Sequence, residues 1–142
     1  MIVEYVKQLA LGVRFIVNGS CKMTYTTLKD FELFKRECNR WIDRLGLHDW
    51  EFTFLHIKLD SGANADCTSY AVDKMMTIRL SKTIELQDRN KREQIKNSAQ
   101  HEVLHALLED IYHQAIDRGF CHNDYLMAEH VLIHRLQKAF GE

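Results

Sequence analysis

From Asp88 to about His113 the apolar residues return at helical spacing, with Leu104, Leu108, Ile111 and Tyr112 on one stripe. His101 and His105 fall on that stripe. A helix of this length is stable only when the stripe is buried, so the segment commits the chain to a core around a helix carrying two imidazoles inward. Residues four apart rise by about one turn, which lets both rings face a single tetrahedral ion. Glu102, inside His101-Glu102-Val103-Leu104-His105, is held next to that position. Zinc lowers the pKa of a coordinated water from about 15.7 to roughly 7, and a neighbouring carboxylate can take its proton and pass it to a leaving amine. The pattern predicts one Zn2+ ion, His101 and His105 as ligands, and Glu102 as the general base.

A catalytic zinc keeps three protein ligands and one open position, so a third donor must come from elsewhere. The leading candidate is Glu129, because a carboxylate among Leu126, Leu132, Ile133 and Leu136 is costly to desolvate unless a cation meets it. Strictly antiparallel helices at ~1.5 Å rise per residue would put His134 level with His105, so His134 stays open. His130 stays open too, although the pair His130 and His134 also suits a solvated face. His122 and Cys121 could reach the ion from a loop. His113 lies two turns beyond His105, ~12 Å along the axis, and is excluded.

The rest of the chain reads as one domain spanning residues 1–142, without repeats, low-complexity tracts or linkers. Val3 to Ala10 suits a short helix, and Val13 to Tyr25 alternates around Asn18-Gly19 as a hairpin would. Thr27 with Asp30 caps a helix whose Phe31, Phe34, Cys38, Trp41, Ile42 and Leu45 recur at helical spacing, and Gly46 stops it. Strands are expected over Trp50 to Leu59, Tyr70 to Val72 and Met75 to Leu80, with a loop over residues 60–66 that leaves Cys67 to begin the next strand and a turn at Asp73-Lys74. Gly119 breaks the motif helix, and a last helix starts near Asn123 or Asp124. The fold class is therefore α+β, a small antiparallel sheet packed with helices.

Charge and cysteine usage narrow the function. A formal net charge of -1 in 142 residues provides neither a broad basic face for nucleic acid nor a polybasic cluster for a membrane. Lys82, Arg89, Lys91, Arg92 and Lys96 are interleaved with Glu85, Asp88 and Glu93, which suits a solvated helix start. No run is long enough to span a bilayer, and the first residues lack the features of a secretory signal, so a cytoplasmic location is expected. Cys21, Cys38, Cys67 and Cys121 are scattered and read as reduced thiols.

The segment from Ser98 to Leu108 resembles the active-site helix of zincin metallopeptidases. The order of parts from Phe31 onward, through Trp41 to Leu47, the strands, the motif helix and Ala128 to Leu136, resembles small metallopeptidases of bacteriophages and prophages. Among gluzincins a glutamate on the helix after the motif completes the metal site, and Glu129 matches that role. SprT-like proteases use a histidine followed by glycine; here His122 is followed by Asn123. The glycine and third histidine of metzincins are absent. The resemblance implies that Met75 to Leu80 lies at the sheet edge and pairs with an extended peptide. Tyr70, Tyr112 and Tyr125 are candidates to stabilise an oxyanion. The expected function is zinc-dependent hydrolysis of a peptide or protein substrate; the alternative is a non-catalytic phage-type factor that binds a protein and keeps its metal site for stability.

Overall fold

The computed structural model describes residues 22–86, 90–117 and 122–140. The expected helix over Val3 to Ala10, most of the hairpin around Asn18-Gly19, the break at Gly119, and Cys121 lie outside these residues. The described elements are, in order, β1 (Lys22–Tyr25), α1 (Leu28–Leu45), β2 (Glu51–Ile57), β3 (Ala65–Tyr70), β4 (Met75–Ser81), β5 (Thr83–Leu86), α2 (Lys91–Asp117) and α3 (His122–Phe140).

Helix α1 begins and ends on the residues that its sequence marks. The Asp30 amide donates to Thr27 Oγ1 and the Thr27 amide to Asp30 Oδ2, a reciprocal cap that satisfies two amides the helix cannot. Gly46 turns left-handed at φ 67°, and the Leu47 amide reaches back to the Ile42 carbonyl at 3.0 Å. Burial pushes the Asp30 carboxyl up, but hydrogen bonds from Lys91 and Thr27 outweigh this and hold it below its usual value. Lys91, from the basic stretch, meets Asp30 at 2.6 Å and so ties the start of α2 to the start of α1.

The fold is α+β, with antiparallel pairs β1–β5 and β3–β4. The three-stranded sheet runs β2-β4-β3, and its β2–β4 pair is parallel, Glu51 opposite Met75 and Ile57 opposite Ser81. Met75 to Leu80 is therefore the central strand, and its expected place at the sheet edge is corrected. The physical reason is its inward face: Met76, Ile78 and Leu80 are at most 1% exposed, which needs cover from a strand on either side and a helix layer above. The strand at the edge next to α2 is β3, which starts at Ala65, within the expected loop.

Helix α2 has three working faces. Ile95, Ala99, Val103 and Ala106 join Phe34, Cys38, Trp41, Met76, Ile78, Leu80 and Ile84 in the main core. Leu104 and Leu108 form a separate cluster with Ile133 of α3. His101, His105, Glu109 and Tyr112 line the cleft between β3 and α3. No described helix is long and apolar enough to cross a membrane.

Candidate metal centre

The cleft encloses about 420 Å³, and three elements bring donors to it. Helix α2 supplies His101, Glu102 and His105; α3 supplies Glu129 and His130; and β3 supplies Cys67. Nitrogen atoms of His101, His105 and His130 all lie within 4.8 Å of one another, a grouping able to hold a metal ion. The His101 and His105 ring centroids are 5.1 Å apart, and His130 sits 5.8 Å from the first and 5.5 Å from the second. A second grouping on the same criterion joins Cys67, Glu102 and His105.

Each histidine in the first grouping is oriented by an acceptor from the protein. The His130 Nδ1–H donates to the Leu126 carbonyl at 2.9 Å, and His105 Nδ1 lies 3.1 Å from Glu129 Oε1. Gln137 hydrogen-bonds His101 while its own Nε2 donates to the Asn97 carbonyl at 3.3 Å, which leaves its oxygen for the ring. A hydrogen bond at one imidazole nitrogen sets the tautomer and leaves the other nitrogen as a lone-pair donor.

The electrostatics are those of a dry, crowded site. Burial, and then the neighbouring His105, His130 and His134, push the His101 pKa down to about 3. Burial also lowers His105, but the Glu129 hydrogen bond and the Glu102, Glu129 and Glu109 charges overcome it and leave this ring above its ordinary value. Glu102 is raised to about 7, chiefly by burial; the His105 charge and a Cys67 hydrogen bond pull the other way. Burial and the Glu102 charge push the Cys67 thiol well up.

Of the residues singled out in the sequence, His101, Glu102, His105 and Glu129 all stand together here. His130, read as fitting a solvated face, turns inward, whereas His134 is exposed, 5.8 Å from His101. His122 is exposed and pairs with the Tyr112 hydroxyl at 2.8 Å, so it sits at the rim. Tyr112 lines the cleft. Tyr70 is 61% exposed and alternates away from Cys67, so its proposed place near an oxyanion is not realised; the Tyr125 side chain lies outside the described residues.

Two cleft residues, Cys67 and Glu109, and one residue behind the cleft, Gln137, were not anticipated. Cys67 lies between Ala65 and Ser69 on the inward side of β3, all three small; its place at the start of a strand was legible, but which way that strand faces was not. Glu109 follows His105 by one turn and is buried; the four-residue spacing from His101 through His105 could have revealed it. Gln137 hydrogen-bonds His101 and so orients it. Comparison of the chain with protein-family models, with curated proteins and with solved structures finds no match.

Proposed function

We propose that the protein is a zinc-dependent peptide hydrolase in which His101, His105 and a donor from α3 hold the ion and Glu102 handles the proton. The observation that carries this reading is the meeting of three imidazoles within mutual ligand distance beside a buried carboxylate, in a cleft open to solvent. The donor set fits zinc: imidazole nitrogens from two helices, with tautomers fixed from behind. Zinc at such a site supplies Lewis acidity, which polarises a carbonyl and makes a water acidic near neutral pH.

The chain's own residues account for the remaining work. Glu102, 6% exposed and hydrogen-bonded by Cys67, accepts a proton from the attacking water and releases it to the departing amine. Among the described residues strand β3 is terminal in its sheet and borders the cleft, so an extended peptide can pair with its outer edge and lie across the histidines. Ala63, Ala65 and Ser69 keep that wall low.

The test is Glu102→Gln, which preserves shape and removes the base. Hydrolysis of a peptide library by the zinc-loaded protein should fall by roughly 10²–10⁴-fold, with zinc content and the circular dichroism spectrum unchanged. Equal turnover in the variant removes the assigned role of Glu102. A variant that retains its full biological effect supports the binding-factor reading instead.

A further inference from the structure

If the cluster holds a divalent ion, as the proposed hydrolase requires, one question is which residue of α3 completes the ligand set. Glu129 and His130 are adjacent in sequence, and the structure gives them different tasks. The Glu129 carboxylate is 7% exposed and aims at His105 Nδ1, the nitrogen on the side of the ring away from a donor lone pair at Nε2. A carboxylate in that place acts on the ring. His130 points its ring between His101 and His105 and already spends its Nδ1–H on Leu126, which makes Nε2 the lone-pair nitrogen.

Distances support the same assignment. Tetrahedral zinc with nitrogen ligands at ~2.0–2.1 Å separates those ligands by about 3.4 Å. The three imidazoles, within 4.8 Å of one another without an ion, need only small rotations to reach that spacing.

We propose that His101, His105 and His130 are the three protein donors, and that Glu129 and Gln137 are positioning residues acting through His105 and His101. All three donors are then neutral, so the ion keeps its full double charge toward the open position, and Glu129 offsets that charge from behind the ring. His134, exposed on the same helix one turn further on, is a neighbour of the cluster and not a donor.

The experiment uses the full chain loaded with Zn2+ alone. X-ray absorption fine structure should show three imidazoles on the ion; two imidazoles with a carboxylate overturn the assignment without a variant being made. Chelator competition then measures Zn2+ affinity, and Co2+ visible absorption reports the ligand field. Glu129→Gln should weaken Zn2+ by roughly 10–100-fold or less and keep the three-imidazole spectrum. His130→Ala should lose more than that and change the Co2+ spectrum, and His134→Ala should match the parent. Parent-like affinity in His130→Ala, or a loss in His134→Ala equal to that of His130→Ala, overturns the proposal. If His130→Ala does not fold, the absorption spectrum of the parent decides. Absence of Zn2+ binding overturns this assignment and the hydrolase together. Three bound imidazoles without peptide cleavage leave the ligand set standing and remove the hydrolase; cleavage with a carboxylate ligand does the reverse.

Discussion

Ile133→Ala tests how the candidate metal centre is assembled without touching any proposed donor. Ile133 is fully buried against Leu104 and Leu108, with Leu45, Leu107 and Leu136 around it, and this small cluster fastens α3 to α2. It holds Glu129 and His130 in place, four and three residues earlier on the same helix. Truncation of a buried isoleucine to alanine costs about 2–5 kcal/mol. A loss of about 3 kcal/mol in docking lowers the docked fraction of α3 by up to roughly a hundredfold, and apparent Zn2+ affinity falls in proportion once undocked chains dominate. Chelator competition reads the affinity, and amide hydrogen exchange reads the docking helix by helix. The matched control is Ile84→Ala, a similar truncation in the main core on β5, outside the cluster of Ile133, expected to lower stability with Zn2+ affinity unchanged. If Ile133→Ala unfolds no earlier in α3 than in α2 and binds Zn2+ like the parent, packing at this cluster does not present the donors.

Three further outcomes are expected. Thr27→Ala removes the side-chain half of the α1 cap and should lower urea stability by about 1 kcal/mol; no change would show that the cap is dispensable. His56 stacks on Phe31 at 5.1 Å, donates to Thr26, and has its pKa lowered from 6.5, by burial first and then by Lys82. The unfolded chain therefore takes up this proton first as pH falls, so stability should decline as pH drops below about 6.5. His56→Gln should lessen that decline, and an unaltered pH profile by urea denaturation would remove His56 as a cause. Zinc at 100 times its dissociation constant should add about 2.7 kcal/mol, raising the calorimetric midpoint over a chelated sample by roughly 5–12 °C. Coincident midpoints would exclude a site that binds only the folded chain.

What could be read from the sequence follows physical range. The ends of α1 were legible because Thr27, Asp30 and Gly46 act on amides within a few residues of themselves. His101, Glu102 and His105 were legible because helix geometry alone sets their relation. The parallel β2–β4 pair was not, because alternation in Met75 to Leu80 reveals which face is buried and says nothing about which strands lie on either side. The first two residues of β3 were taken as loop because Ala65 and Asp66 are small or polar, and their pairing with β4 supplies what propensity does not. The inward turn of His130 depends on how α3 meets α2, which no local pattern encodes.

Asn64 has a consequence for the wider architecture. Its carbonyl accepts from the Ser81 amide at 2.9 Å, while its carboxamide receives the Glu85 amide and donates to the Glu85 carbonyl, as a neighbouring strand's backbone would. One side chain thus rivets the β1–β5 ribbon to the larger sheet. Slow hydrolysis of that amide to aspartate during storage would remove the donor and set a negative charge against a carbonyl. Aged preparations should therefore part first at this seam, with the ribbon peeling away while the helices still hold.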